Sequence, residues 1–221
     1  MKQSEEYFDL IAPVYDQATE AEGSWNPPNV IYEHIKHLTK RNAIILDIGI
    51  GTGRSIDKIY KSGAYKEIHG VDVSEKMLNI CINKYPKVKL SKISSVNDIA
   101  NMVAHYDLII CSGTVEFIED ISALFQKVSV LLKTGGVFIF TYEPLIQFHQ
   151  IQKHKKSLTV PNKSSKLYID NFYTYRYAPH EITTLLEQNN LRTEKDSEFV
   201  AYKKGEEYII YHVVEAVIRE L

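Results

Sequence analysis

The chain has 221 residues, 44% of them apolar, and a formal charge of -2; this fits one domain with a substantial core and argues against a general binder of nucleic acid or anionic membrane, which would be strongly basic. Cys81 and Cys111 lack C-x-x-C spacing, so neither a disulfide framework nor a zinc site is implied. The polar, acidic start (Met1 to Glu6) and the lack of an apolar run of spanning length point to a soluble, cytoplasmic protein without membrane association.

Residues 4–17 place Tyr7, Phe8, Leu10, Ile11, Val14 and Tyr15 at helical spacing, and Pro13 is expected to end that helix there or shortly after. Residues 22–28 read as a loop, and 28–40 as a helix with Val30, Ile31, Ile35 and Leu38 inward. From 43 onward strands (43–48, 67–73, 88–93, 106–111, 137–142) alternate with helices (54–61, 75–84, 97–103, 120–132), and Ser74 is the expected cap of the second of these helices. The nearly continuous apolar run 106–111 suits a parallel strand covered on both faces. Repeated βα units imply a parallel sheet with right-handed crossovers. Residues 143–171 break the rhythm, with a helix expected near 145–154 and then a polar loop; 172–177 alternates like a strand or an extended lid segment. Residues 178–189 read as a helix with Pro179 in its first turn. Strands 191–202 and 207–217, joined at Lys203-Lys204-Gly205, suggest one antiparallel strand at the sheet edge.

The stretch Ile44-Ile45-Leu46-Asp47-Ile48-Gly49-Ile50-Gly51-Thr52-Gly53-Arg54-Ser55 organises this core. An apolar strand runs into three alternate glycines and then into a helix start, a turn that lets a ligand approach bare backbone. The dinucleotide fingerprint G-x-G-x-x-G fails here: counted from Gly49 it needs a small residue where Arg54 stands, and from Gly51 a glycine where Ile56 stands.

The ordered set of motifs resembles the class I S-adenosylmethionine (SAM) dependent methyltransferases. Asp47-x-Gly49-x-Gly51-x-Gly53 is similar to their first motif and Gly70-Val71-Asp72-Val73-Ser74-x-x-Met77-Leu78 to their second. Tyr106 to Gly113, followed by Val115-Glu116-Phe117-Ile118-Glu119-Asp120, resembles the fourth-strand motif, and Leu131-Leu132-Lys133-x-Gly135-Gly136 the turn before the fifth strand. The ends, Ile11-Ala12-x-x-Tyr15-Asp16 and Tyr175-x-Tyr177-x-x-x-Glu181-x-x-x-Leu185-Leu186, are similar to the small-molecule branch near the ubiquinone-, menaquinone- and biotin-pathway enzymes. The resemblance implies a single-domain α/β Rossmann-like fold: a seven-stranded, mostly parallel sheet with one antiparallel edge-region strand and helices on both faces. Residues 1–42 would be an N-terminal helical cap, 43–142 the SAM-binding core, 143–177 an insertion or lid, and 178–221 a C-terminal helix and strand pair.

By resemblance, Gly49, Gly51 and Gly53 pass under the methionine part of SAM; the plainer alternative is a strand-to-helix turn. Asp47 would order that loop and help hold the ammonium, or else only stabilise the loop. Asp72, about 20 residues after the glycines, is placed to accept both ribose hydroxyls, or to act as an ordinary cap. Val73 and Met77 would flank adenine, or simply pack in the core. Ser95 or Val96 would reach adenine through backbone amides where many relatives carry an acid, while Asp98 caps the short helix. Cys111, Ser112 and Gly113 end the fourth strand, where carbonyls would face the SAM ammonium, with Cys111 a small buried side chain.

Phe117 stands where many relatives have a histidine, so no catalytic residue is assigned; Glu116 is the remaining ionisable candidate, or an exposed helix-start acid. Tyr15, Tyr142, Tyr173 and Tyr175 are pocket or lid candidates, Tyr15 on the cofactor side and the others with Glu116 on the substrate side; surface tyrosines are the alternative. His149 and His154 have no partner at metal spacing, and Lys153 to Lys156 reads as a solvated charge run. The expected activity is methyl transfer from SAM, leaving S-adenosylhomocysteine, to a small molecule by a monomer or homodimer without nucleic acid. RNA or protein acceptors, or a non-catalytic SAM-binding role, are the alternatives.

Overall fold

The computed structural model describes residues 2–21, 25–101, 105–145, 155–158 and 172–219. Along the chain these form α1 (Lys2–Ala21), α2 (Pro27–Ile35), β1 (Ile44–Ile48), α3 (Asp57–Ser62), β2 (Glu67–Asp72), α4 (Glu75–Lys84), β3 (Lys89–Lys92), β4 (Tyr106–Cys111), α5 (Ile121–Leu131) and β5 (Leu132–Tyr142). Then follow β6 (Lys155–Leu158), β7 (Phe172–Tyr175), α6 (Pro179–Gln188), β8 (Leu191–Lys204) and β9 (Glu207–Ile218). Seven strands share one sheet in the order β3-β2-β1-β4-β5-β9-β8. The first five are mutually parallel, and β9 runs antiparallel to both β5 and β8. The expected antiparallel strand is therefore the penultimate one, with β8 outside it.

Strand periodicity divides the core into two layers. Ile45, Leu108, Ile110 and Ile139 point to the face covered by Ile31 and Ile35 of α2, Ile59 of α3 and Leu78 of α4. Their neighbours Leu46, Ile109, Phe138 and Phe140 point the other way, onto Leu124, Phe125 and Val128 of α5 and Ile182 and Leu186 of α6. Both faces are dry, which is why β1 and β4 read as continuous apolar runs. Chain order reverses between β1 and β4, and in open α/β sheets the ligand crevice lies beyond the strand ends at that point.

Several boundaries differ from the sequence reading. α1 passes straight through Pro13, which costs it a backbone donor. Docking offsets this: Asp9 Oδ1 accepts from Ser74 Oγ (2.6 Å) and Lys76 N (3.3 Å), Glu5 pairs with Lys92 (2.6 Å), and Asp16 Oδ1 accepts from Thr52 Oγ1 (2.6 Å). α2 ends at Ile35 and not near 40. α3 begins at Asp57 rather than 54, because Thr52 and Ser55 are held in the turn by Asp16 and Asp47. The segment expected as a helix over 97–103 is a 3-10 turn, Val96–Asn101, and β5 starts at Leu132 with a register shift opposite Tyr106 and Leu108. β7 pairs with β6 in a separate two-stranded sheet. The helix expected near 145–154 lies, from 146 on, outside the described residues, as does the polar loop from 159. Among the described residues no helix is long and apolar enough to cross a membrane.

Ser74 caps α4 as expected: its Oγ accepts from Met77 N at 3.1 Å while donating to Asp9. Ser74→Ala removes the cap and one anchor of α1. It should cost about 1–2 kcal/mol in denaturant unfolding, and an unchanged midpoint would show that the cap contributes nothing.

Candidate functional site

The turns after β1 and β4 meet at the strand ends. Gly49 has φ +75°, its N–H donates to Val71 O at 2.8 Å, and a Cβ there would lie 2.2 Å from Thr114 Oγ1. Gly51 has φ +53° and a different surrounding. A Cβ on it would meet no atom nearer than 4.0 Å, so bare backbone faces open space. Its N–H donates to Asp72 Oδ2 at 2.8 Å, which ties the glycine turn to the end of β2. Asp72 Oδ1 accepts from Ser74 N at 2.8 Å, so the carboxylate also serves the helix start.

The space over Gly51 is a cavity of about 890 Å³, its open mouth included. Its floor is the glycine turn; Asp72, Val73 and Met77 form one wall, with Ile93 and Val96 beside them. Ser112, Gly113, Thr114 and Phe117 form the opposite wall. Ser4, Phe8 and Tyr15 of α1 close the top, and Phe8 meets Phe117 edge-on at 5.1 Å. Trp25 completes the Gly113 side, its segment fixed by Asn26 N–H donating to Ala201 O at 2.8 Å.

The charges here are unusual for a closed core. Asp47 is fully buried: Ser55 Oγ donates to its Oδ2, Oδ1 has no partner among the described residues, and burial pushes the carboxyl up to about 7. Arg54 lines the cavity, and its Nη1 is sealed from solvent with no partner among the described residues. Burial also raises the Asp72 carboxyl, against the amide bonds that pull it down. It lifts the Tyr15 hydroxyl to about 12, opposed by the nearby Arg54.

Residues 46–138 match the family model described as a methyltransferase domain. Over those residues the chain carries a methyltransferase domain. It is 29% identical over 148 residues to a ubiquinone/menaquinone biosynthesis C-methyltransferase of Campylobacter jejuni, a match spanning 62% of this chain and 62% of that relative. A demethylmenaquinone methyltransferase of Bacteroides fragilis is 26% identical over 194 residues, 82% of this chain and 77% of the relative. The fold is also that of an S-adenosylmethionine-dependent methyltransferase from Clostridium acetobutylicum (TM-score 0.69, 20% identity, 95% of this chain and 98% of that one).

Of the residues expected at the cofactor, the methyltransferase domain brings Gly49, Gly51, Asp72, Val73, Met77, Val96, Ser112, Gly113 and Tyr15 to the cavity wall. Asp47, Gly53, Ser95 and Cys111 do not line it. Gly53 backs onto Tyr85 and Cys81 beneath the turn. Ser95 N–H, like Ser94 N–H, is committed to Asp98 Oδ2, at 2.9 Å and 2.7 Å. Cys111 is a fully buried thiol, its pKa pushed well above the usual value.

The substrate-side candidates also stand away from the cavity. Glu116 is buried, not an exposed helix-start acid. Tyr142 is 1% exposed within the core, its ring 5.1 Å from His212. Tyr175 joins the same core and Tyr173 packs against it, both on β7, which lies beside the Val115–Phe117 turn. His149 and His154 lie outside the described residues; of the 153–156 run only 155–156, in β6, lies within them. The sequence reading missed Arg54, Trp25, Phe8 and Thr114. Arg54 carried a signal, a cation inside a ligand-type glycine turn, whereas nothing in the local pattern marked Trp25.

Proposed function

We propose that the domain binds SAM in the Gly51 cavity and transfers its methyl group to a small-molecule acceptor, the whole of 1–221 acting as one domain. The observation that carries this is a pair of sealed atoms at one glycine turn that lack a partner among the described residues: Asp47 Oδ1, behind the lining residues Ile48 and Ser55, and Arg54 Nη1, on a side chain that lines the cavity. One can accept from a cation and the other can donate to an anion, and buried polar atoms of this kind are normally satisfied. A zwitterionic amino-acid end suits both: its carboxylate can bond Arg54, and its ammonium is drawn by the Asp47 charge behind the wall, directly or through water. Bound SAM would supply an electrophilic methyl group on a sulfonium.

The remaining roles follow from the same wall. Asp72 spends one lone pair of each oxygen on Gly51 N and Ser74 N and retains others for two neighbouring hydroxyls. Val73, Met77, Ile93 and Val96 offer a flat apolar slot suited to adenine. Phe8 and Phe117 exclude water from above, which supports a displacement whose charge is dispersed as it proceeds. The Campylobacter and Bacteroides relatives carry quinone-pathway names, which favours a small-molecule acceptor here too.

Calorimetry with SAM, S-adenosylhomocysteine and NAD tests the reading. The first two should bind and NAD should not; binding of NAD alone would refute it. Asp72→Ala should weaken SAM binding by about 1–3 kcal/mol, the scale of a charged hydrogen-bond partner, and an unchanged affinity would remove Asp72 from the site. Tight binding of SAM without turnover on any acceptor would favour a regulatory role.

A further inference from the structure

Behind Trp25 lies a second group of side chains that the proposed SAM site does not use. Glu116 is 4% exposed; its carboxylate accepts from the Tyr211 hydroxyl, while Oε2 is sealed from solvent with no partner among the described residues. Within electrostatic reach are Glu143 and Arg176, themselves an ion pair through Nη2 and Oε2 (2.5 Å), with Arg176 Nη1 also donating to Thr174 Oγ1 at 3.4 Å. Among the described residues, two carboxylates, Glu116 and Glu143, therefore stand with one guanidinium, which bonds Glu143. Tyr211, bonded to Glu116, and Tyr202, within its electrostatic reach, form one ring group with Trp25, which is 5.8 Å from each of them, the two tyrosines being 6.3 Å apart. The group adjoins the cavity, because Trp25 lines it and touches Gly113, and Thr114 and Phe117 on either side of Glu116 line it too.

A buried carboxylate in excess of its counter-charges is costly, and a fold retains one where something else neutralises it. Aromatic faces attract a cation and have no such preference for a neutral or anionic group. We propose that this cluster receives a protonated amine of the methyl acceptor, held between Glu116 Oε2 and the rings of Trp25, Tyr202 and Tyr211; the inference rests on the methyltransferase reading above. A hydroxyl group would satisfy Oε2 but leave the charge uncompensated, and a carboxylate would be repelled by Glu116 and Glu143. Once bound, the ammonium can pass a proton to Glu116: an N–H bond breaks, an O–H bond forms, and the nitrogen keeps its electron pair. Burial already holds the Glu116 carboxyl at about 7, the range in which a carboxylate can serve as such a base.

Trp25 is the single tryptophan of the chain, so its fluorescence reports on the cluster directly. With S-adenosylhomocysteine saturating, phenethylamine, 2-phenylethanol and 3-phenylpropanoate are titrated as cationic, neutral and anionic probes of similar shape. The amine should quench saturably and bind about tenfold or more tighter than the alcohol, a difference of about 1.4 kcal/mol, with the carboxylate weakest. Glu116→Gln should erase the preference. Equal binding of amine and alcohol, or a preference that survives Glu116→Gln, overturns the proposal. If that variant does not fold, the wild type still decides: amine preference should decline from about pH 8 to about pH 5 as Glu116 takes up a proton, and a preference constant over that range overturns the proposal. Calorimetry of S-adenosylhomocysteine on the same samples separates the two readings. A wild type that binds it but shows no amine preference defeats only this inference, and one that does not bind it defeats the methyltransferase reading.

Discussion

Asp47→Asn is expected to stabilise the ligand-free protein above about pH 7 and, at the same time, to weaken its hold on SAM. The folded Asp47 carboxyl sits at about 7 against an ordinary 3.8, with burial as the leading cause. A carboxyl raised in the folded state favours folding while it is protonated. Its contribution is therefore complete below the ordinary value and is lost as pH rises toward and through about 7. At higher pH the fold holds a buried charge whose Oδ1 lacks a partner among the described residues. Asparagine keeps an acceptor for Ser55 Oγ without that charge. The gain at about pH 8 should be about 2–4 kcal/mol, since a tenfold change in proton affinity between the folded and unfolded chain is worth about 1.4 kcal/mol. It should be read as a higher thermal midpoint. The cost appears in calorimetry as reduced SAM affinity, because the amide no longer attracts an ammonium. A variant no more stable than the wild type at that pH would show that Asp47 is not strained in the ligand-free state. Some pH slope should remain in the variant, since Glu116 is raised to about 7 for the same leading reason.

Gly49→Ala should be the most damaging single-methyl change in the turn. Two costs add. The left-handed backbone at φ +75° disfavours any L side chain by about 1–2 kcal/mol. The new Cβ would also stand 2.2 Å from Thr114 Oγ1 and 2.5 Å from its Cγ2, so the turns after β1 and β4 must part. Together these should cost about 3 kcal/mol or more, with SAM binding lost because the cavity floor moves. Adding Thr114→Gly removes the clash and leaves the backbone strain, so denaturant unfolding of the pair should recover part of the loss and not all of it. Full recovery would assign the whole effect to Thr114; no recovery would assign it to the backbone.

What the sequence made legible follows from the range of each interaction. The βα alternation, the Ser74 cap and the left-handed glycines are set within a few residues, and they were readable. So was Asp72, because its position is fixed relative to the glycine turn by strand length. The passage of α1 through Pro13 was not, because what offsets the lost donor comes from Ser74, Lys76 and Thr52, tens of residues away. Glu116 was readable as an ionisable group near the strand end, but its burial depends on Tyr211 and on the Arg176–Glu143 pair from far along the chain. Trp25 has no local pattern at all; its place is set by β8 through the Asn26 bond to Ala201.

The strand order has a consequence for biosynthesis. β9 lies between β5 and β8, yet it follows both in the chain. As the protein emerges from a ribosome, the edge of β5 is complete about 65 residues before its partner exists, and synthesis at the usual 5–20 residues per second leaves it open for several seconds. That edge carries Phe138, Phe140 and Tyr142, three buried aromatics of the finished core. An unpaired apolar edge is a template for other chains. The sheet is therefore closed from within by the last of its seven strands to be made, and until that strand is inserted the nascent chain presents an apolar edge.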